Sequence, residues 1–260
     1  MAHTAEYRRI LTKMGYYNYQ NGLIYRHINQ DGGWDNHLSN CRSFIMKAIE
    51  KVSPEKVTIL GSGWLLDLPL AEMMDRSSQI ILIDIVHPPE VITQVSEYKK
   101  VKLLEADVTG GLISEVWNKA GNKFLFKKNF QRTLINIPEY MPEEDPGLII
   151  SLNILTQLEA LPIDFLRKRF RTSEEEITDF KREVQKKHVD FLKKYPSVLI
   201  SDTEGIFKET DGTENPEKTL LTQLPNASYK EEWVWDFDLR GGDYYNRRSI
   251  MKVVALTMNI

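Results

Sequence analysis

The sequence predicts a single α/β domain built around a mostly parallel sheet. Short apolar runs alternate with longer stretches of helical spacing, which is typical of parallel strands joined by helices. The last two apolar runs are instead joined by a glycine-bearing connection, which favours an antiparallel hairpin at the end of the domain. At 260 residues the chain is long enough for one such domain with a substantial core.

The most informative stretch is the end of the first predicted strand. The apolar run from Val57 to Leu60 leads directly into Gly61-Ser62-Gly63, and we predict helix from Leu65 onward. Glycine adopts positive φ at little cost and has no Cβ, so the backbone there can turn sharply and lie against a ligand. The first turn of a following helix offers unpaired N–H groups to that ligand. The stretch therefore predicts a turn that binds a nucleotide or nucleoside.

Two further apolar runs end beside a carboxylate. The run 79–83 ends at Asp84, 23 residues after Gly61, and the run 101–105 is followed by Ala106 and Asp107. Ligands of open α/β sheets bind at the carboxyl ends of the strands, where an acid after the second strand can accept ribose hydroxyls. Each acid taken alone is also explained as a cap of the next helix. Their joint position behind the glycine turn favours one shared site.

This pattern resembles that of the class I methyltransferases that use S-adenosylmethionine, over about residues 55 to 160. The resemblance implies a Rossmann-like fold with S-adenosylmethionine as cofactor. In that family the glycine turn lies at the methionine and ribose, the acid after the second strand binds the ribose hydroxyls, and the acid after the third meets the adenine amino group. The cofactor site that the resemblance implies after the first three strands contains Gly61, Ser62, Gly63, Asp84, Ile85, Asp107 and Val108.

Two positions differ from the family pattern. Ile59 stands where the family has an acid two residues before the first glycine, and Leu65 stands in place of the third glycine. Asp67 is our candidate for the carboxylate that meets the methionine amino group. The nicotinamide fingerprint Gly-x-Gly-x-x-Gly does not match either, because Leu66 occupies the position of its third glycine. The turn alone therefore leaves both ligands open.

The later strands favour the methyltransferase interpretation. Four more strands are predicted at 147–152, 197–202, 232–237 and 250–258. Asn153, after the fourth, is a candidate contact for the cofactor or the methyl acceptor, with a strand-end cap as the alternative. The last two strands form the hairpin, across residues 238–249, and a loop is predicted from Asp202 to about Lys230. The family's sheet ends in such a hairpin and has seven strands, six parallel and one antiparallel. A dinucleotide-binding domain more often continues into a separate substrate domain.

Residues 1–54 are predicted to form an N-terminal helical extension that acts as a lid, and residues 55–260 to form the cofactor-binding domain. From Asp35, a good N-cap residue, apolar side chains that include Cys41 recur at helical spacing and predict a helix that packs on the sheet. The loop before it, 29–37, combines a diglycine, an indole, carboxylates and an imidazole. His37 is our candidate catalytic base, because the start of a helix disfavours the imidazolium form. A structural role for His37 is the alternative.

Composition and charge exclude several other classes. A formal charge of −3 gives no overall basic footprint for nucleic acid. No apolar run approaches the roughly 18 residues that a membrane span needs. The N-terminus has no signal-peptide core and the chain has one cysteine, so we expect a cytoplasmic protein. The histidines show no metal-ligand spacing.

The function expected from the sequence is methyl transfer from S-adenosylmethionine to a small-molecule acceptor. Two alternatives stay open: an NAD(P)-dependent oxidoreductase, and a non-catalytic nucleoside-binding module that acts through a protein partner. The identity of the acceptor and the oligomeric state are not determined by the sequence.

Overall fold

The computed structural model describes residues 3–121, 127–209, 211–242 and 247–260. The predicted α/β fold class is confirmed. Its helices are α1 (Ala5–Met14), α2 (Tyr16–Ile28), α3 (Asp35–Val52), α4 (Leu70–Arg76), α5 (Pro89–Val95), α6 (Leu112–Ala120), α7 (Ala160–Arg169) and α8 (Glu174–Leu192). Its strands are β1 (Lys56–Leu60), β2 (Gln79–Asp84), β3 (Val101–Glu105), β4 (Leu148–Leu152), β5 (Ser197–Lys208), β6 (Glu214–Lys218), β7 (Lys230–Asp238) and β8 (Arg248–Met258). Within these ranges, no helix is both long and apolar enough to cross a membrane.

The strands form one sheet in the order β3-β2-β1-β4-β5-β8-β7, and β6 pairs with β5 beside this path. Strands β1 to β5 pair in parallel, whereas β8 runs antiparallel to both β5 and β7. Six strands of the path therefore run one way and one runs the other way. The predicted parallel sheet with a terminal antiparallel hairpin is confirmed. Residues 243–246, within the connection of that hairpin, lie outside the described residues.

The sheet has eight strands rather than seven because the predicted loop after Asp202 is wrong. Strand β5 continues to Lys208, pairing with β8 beyond a register shift between Asp202 and Glu204. Strand β6 then returns along the outer part of β5. All residues of β6 are exposed, so this strand lacks the alternation of apolar and polar residues by which a strand is recognised in a sequence.

Both faces of the sheet are covered by helices, which explains its continuous apolar strands. Val57 and Ile59 of β1 belong to the core formed with α3, α4 and α5, whereas Leu60 faces the other side, toward α8. The helix predicted to pack on the sheet is confirmed as α3, and its Cys41 is fully buried in that core. Asp35 is the first residue of α3 rather than its N-cap, which is Trp34.

Parallel pairing brings the carboxyl ends of the central strands to one edge of the sheet. The turn after β1 is joined to the end of β2, because the backbone N–H of Gly61 donates to the carbonyl of Ile83 at 2.9 Å. The end of β2 is joined in turn to the segment after β3, where Ala106 N–H donates to Asp84 O at 2.9 Å. The sequence motifs at these strand ends are therefore neighbours in space.

Candidate functional site

A cleft opens at this edge of the sheet, and it contains every residue that the sequence nominated. It encloses about 1190 Å³, its open mouth included, which is enough for a nucleoside-sized ligand and a small second molecule. Its walls come from the segments after β1 to β4, from α2 and α3, and from β7. The nominated residues that line it are His37, Gly61, Ser62, Gly63, Asp67, Asp84, Ile85, Asp107, Val108 and Asn153. Their individual roles stay predictions.

The turn after β1 requires glycine at its first position. Gly61 has φ +85°, and a Cβ there would lie 2.0 Å from Ile154 Cγ2 and 2.8 Å from the carbonyl oxygen of Leu152. No side chain fits that space, because real Cβ contacts are longer than 3 Å. Gly61 thus lets the chain pass against the segment after β4, the strand next to β1 in the sheet.

The helix predicted from Leu65 is wrong, since α4 begins only at Leu70. Leu65 has φ +61°, a left-handed conformation that interrupts a right-handed helix. This is the position where the family pattern has its third glycine. The intervening turns carry Asp67 into the cleft.

Asp84 fixes the shape of the glycine turn. Its Oδ2 accepts a hydrogen bond from the backbone N–H of Gly63 at 2.8 Å, and its Oδ1 accepts one from Ile85 N–H at 2.8 Å. Burial raises the pKa of the Asp84 carboxyl, and the hydrogen bond from Gly63 acts in the opposite direction. A carboxylate oxygen can accept two hydrogen bonds. The backbone N–H of Val86 also interacts with this carboxylate, which as a whole keeps acceptor capacity for a ligand hydroxyl.

The carboxylate of Asp107 accepts more hydrogen bonds from the segment that follows it than the carboxylate of Asp84 does. Its Oδ1 accepts from the backbone N–H of Thr109 at 2.9 Å and from the hydroxyl of that residue, and its Oδ2 accepts from Ile113 N–H at 3.2 Å. The bond from Ile113 N–H caps the first turn of α6, which is the alternative that the sequence left open. Burial raises the pKa of Asp107 as well. The carboxylate still lines the cleft.

Asp67, Asn153 and His37 form a polar cluster between β1 and β4. Asn153 Nδ2 lies 2.8 Å from Asp67 Oδ2 and 3.1 Å from His37 Nε2. Burial raises the pKa of Asp67 to about 6, although the amide of Asn153 opposes the change. A carboxylate held in such surroundings is stabilised by a cationic partner.

Both ring nitrogens of His37 face hydrogen-bond donors. The indole N–H of Trp233 donates to His37 Nδ1 at 3.0 Å, and an indole nitrogen can only donate. The amide nitrogen of Asn153, which also only donates, lies 3.1 Å from Nε2, so Nε2 either carries the ring proton or accepts from Asn153. Burial lowers the pKa of His37 to about 3, so the ring is neutral at physiological pH. Neither nitrogen then offers a free lone pair. Catalysis by His37 as a base stays a prediction, and this geometry favours a positioning role.

Two residues of this cluster, together with Cys41, present atoms of the types that bind metals. One ligand atom each from His37, Cys41 and Asp67 lies within 4.8 Å of the others. A histidine that binds a metal through Nε2 normally donates a hydrogen bond from Nδ1. Here Nδ1 of His37 faces the N–H of Trp233 instead. The hydrogen-bond pattern therefore favours a polar cluster over a metal centre.

The cleft also contains residues of α2 and β7 that the sequence did not nominate individually. Gln20 is 7% exposed, and its Nε2 lacks a hydrogen-bond partner among the described residues. That nitrogen is the nearest atom to a Cβ built on Gly63, at 3.9 Å. Trp235, 7% exposed, also lines the cleft, and its indole N–H is unpartnered within the same ranges. Tyr16 and Tyr19 of α2 line the cleft as well, and the crowding of tyrosines in that helix was the signal available in the sequence.

Comparisons with known proteins give only distant structural likenesses. No family model matches the chain, and no curated protein matches it. Among solved structures, a 1,6-didemethyltoxoflavin N1-methyltransferase from Burkholderia thailandensis, with S-adenosylhomocysteine bound, is 11% identical, with 100% of this chain and 92% of that chain covered and a TM-score of 0.39.

Two further likenesses are of the same kind. The complex of DhpI with S-adenosylhomocysteine is 7% identical over 96% of this chain and 98% of that chain, with a TM-score of 0.37. The N-methyltransferase NodS from Bradyrhizobium japonicum, also with S-adenosylhomocysteine, is 9% identical over 85% and 87%, with a TM-score of 0.34. Likenesses at this distance do not assign an activity to the chain.

Proposed function

We propose that the protein is a methyltransferase that takes its methyl group from S-adenosylmethionine. One observation carries the proposal: Asp84 closes the Gly61–Gly63 turn through its contact with Gly63 N–H and still lines the cleft at the carboxyl edge of the sheet. A carboxylate in that position suits two vicinal ribose hydroxyls. Asp107 and Val108 line the same cleft beside the next strand, where an adenine would lie.

Buried polar atoms without partners support a ligand of this kind. Ser62 Oγ, Gln20 Nε2 and Asn153 Oδ1 are buried and lack hydrogen-bond partners among the described residues, although all three side chains line the cleft. Such groups are costly unless a ligand or water satisfies them. Ser62 and Gln20 would suit the carboxylate end of the methionine moiety. Asp67, with its raised pKa, would suit the amino group.

The main requirement of the reaction is that the protein aligns the acceptor with the methyl group. S-adenosylmethionine, when bound, supplies an electrophilic methyl carbon attached to a sulfonium. The cleft must hold an acceptor lone pair in line with that carbon, and such orientation contributes on the order of 7–11 kcal/mol at best. A general base is needed only for an acceptor that keeps its proton at neutral pH. The proposal therefore does not depend on His37 as a base.

Helix α2 supports the proposed lid. Tyr19 donates its hydroxyl hydrogen to Gln157 Oε1 at 2.8 Å, on the segment after β4. Trp64, in the turn after β1, donates its indole N–H to the backbone carbonyl of Gln20 at 2.8 Å. The helix thus bonds to the segments after two central strands and covers the cleft between them. Its release would open the cleft for exchange of the cofactor.

Two alternatives predict different ligands. An oxidoreductase would bind NADH, but the antiparallel β8 within the sheet is not a feature of the dinucleotide order 3-2-1-4-5-6. A nucleoside-binding module would bind S-adenosylhomocysteine without transferring a methyl group. The acceptor is proposed to be a small molecule, and the cytoplasmic location stays a prediction.

Calorimetry of the intact chain with S-adenosylmethionine, S-adenosylhomocysteine and NADH tests the proposal. We expect micromolar or tighter binding of both sulfur ligands and none of NADH. Binding of NADH alone would make the protein an oxidoreductase. Binding of the sulfur ligands without transfer of a labelled methyl group to small-molecule extracts would favour the module.

A further inference from the structure

The cleft continues beyond Asn153 into a wall of aromatic rings. His37 and Trp235 stack face to face, with centroids 3.8 Å apart and an interplanar angle of 6°. The ring of Trp34 meets Trp235 edge-on at 4.9 Å. All three side chains are at least 93% buried and line the cleft. Since His37 contacts Asn153, this aromatic wall begins where the proposed methionine site ends.

Two of the three rings of the aromatic wall are held by hydrogen bonds. Trp34 donates its indole N–H to the carbonyl of Phe237 at 2.9 Å, and Trp233 donates to His37. Large aromatic surfaces held in this way are suited to packing against a flat ligand ring, in stacked or edge-to-face geometry. The wall therefore favours a planar partner over a flexible chain.

One donor on the wall is left without a partner. Three indoles line the cleft: those of Trp34 and Trp64 donate to backbone carbonyls, whereas the N–H of Trp235 has no partner among the described residues. A buried donor of this kind is stabilised by a ligand that carries a hydrogen-bond acceptor. The ligand should therefore offer an oxygen or nitrogen lone pair to Trp235.

The charges around the cleft limit the ligand further. The charged residues that line it, within the described ranges, are three carboxylates, with no lysine or arginine. A carboxylate or phosphate on the acceptor would find no cationic partner. Aromatic walls also attract cations, but the adjacent sulfonium would repel a second positive charge. A neutral ligand satisfies both conditions.

We propose that the acceptor is a neutral, planar heteroaromatic molecule that packs on the aromatic wall of Trp34, His37 and Trp235 and accepts a hydrogen bond from Trp235. This inference rests on the proposed function and names its substrate class. A lone pair on a ring nitrogen or oxygen of the acceptor forms the bond to the methyl carbon. The carbon–sulfur bond breaks, its electron pair stays on sulfur, and any proton on the methylated atom passes to water.

The test measures ternary complexes of the full chain saturated with sinefungin, an analogue of S-adenosylmethionine that carries an ammonium group in place of the sulfonium. The neutral probes are 4-quinolinone and lumazine, and the contrasting probes are phenethylamine, a cation, and benzoate, an anion. We expect calorimetry to detect the neutral heteroaromatic probes and neither charged one. The variant Trp235→Phe keeps the ring and removes the N–H. We expect it to weaken binding of the neutral probes about 3- to 10-fold, because one hydrogen bond is lost.

Trp117→Phe is the matched control, since Trp117 packs on Phe165 outside the cleft. We expect it to leave probe binding unchanged, and both variants to bind S-adenosylhomocysteine as the unmodified chain does. Preference for phenethylamine or benzoate, absence of binding of either neutral probe, or an unaffected Trp235→Phe variant would each overturn the inference while the proposed function stands. Failure of the unmodified chain to bind S-adenosylhomocysteine would overturn the proposed function, and this inference with it.

Discussion

The two ends of the cleft are built in different ways. At the end proposed for adenosine, Gly61 directly follows β1, Asp84 is the last residue of β2, and Asp107 lies two residues beyond β3. Parallel pairing alone makes them neighbours. At the other end, Trp34 bonds to the carbonyl of Phe237, 203 positions away in the sequence. The first end is therefore determined by local patterns, and the second by tertiary packing of α3 on β7.

The largest expected effect tests whether the adenosine end depends on backbone geometry. Gly61→Ala places a Cβ 2.0 Å from Ile154 Cγ2 at a left-handed φ of +85°. We expect the free energy of unfolding to fall by about 2–5 kcal/mol, because conformational strain adds to overpacking. Chemical denaturation measures the change, and calorimetry should show S-adenosylhomocysteine binding to be lost.

Gly212 provides the matched control for this substitution. Its φ of +87° is almost the same, but a Cβ there would meet nothing within 4 Å. Gly212→Ala should therefore cost only the conformational strain, about 1–2 kcal/mol, and leave ligand binding intact. Equal losses in the two variants would mean that the close approach to Ile154 is unimportant and that φ alone requires glycine.

The contrast also explains what the sequence could predict. The five parallel strands and the terminal hairpin follow from short apolar runs, and the residues nominated beside those runs line the cleft. Strand β6 could not be predicted, because its residues are exposed and show no apolar period. The helix predicted from Leu65 failed because a left-handed residue stands there without the glycine that signals it.

The aromatic wall could not be predicted for a different reason. Trp235 lies in a run correctly predicted as a strand, but nothing local says that its ring stacks on His37, almost 200 positions earlier. Likewise, the base role assigned to His37 from its place at a helix start did not include Trp233, whose N–H occupies the lone pair of Nδ1. Contacts of this range require the folded structure.

The second prediction tests the carboxylate at the adenosine end. Asp84→Ala removes the acceptor of Gly63 N–H and the proposed acceptor of the ribose hydroxyls. We expect S-adenosylhomocysteine binding to weaken by about 1–3 kcal/mol, measured by calorimetry. Asp75→Ala, at an exposed site on α4, should bind normally. Unchanged affinity in Asp84→Ala would show that the ribose assignment is wrong.

The third prediction concerns the junction between the two ends, where Asp67 lies. Its pKa of about 6 means that the carboxylate is mostly protonated at pH 5 and ionised at pH 7.5. Because an ammonium group pairs only with the ionised form, affinity for S-adenosylhomocysteine should rise about tenfold across that range. His37, with a pKa lowered to about 3, does not titrate there.

Asp67→Asn isolates this effect. The variant should bind S-adenosylhomocysteine weakly at both pH values and lose most of the rise between them. A rise of the same size in the variant would assign the pH dependence to another carboxyl group, such as Asp84 or Asp107, whose pKa values are also raised by burial. Asp67 would then not be the partner of the methionine amino group.

The smallest expected effect tests whether α2 gates the cleft. Tyr19→Phe removes the hydroxyl that donates to Gln157 Oε1. The loss of about 0.5–1.5 kcal/mol should fall on the closed state, so dissociation of S-adenosylhomocysteine should accelerate about 2- to 10-fold in stopped-flow measurements. Tyr25→Phe is the control on the same helix, because Tyr25 is 66% exposed and should leave the rate unchanged. If Tyr19→Phe also left the rate unchanged, α2 would be a fixed wall of the cleft, and both ends would then have to exchange their ligands through the mouth that the structure already shows.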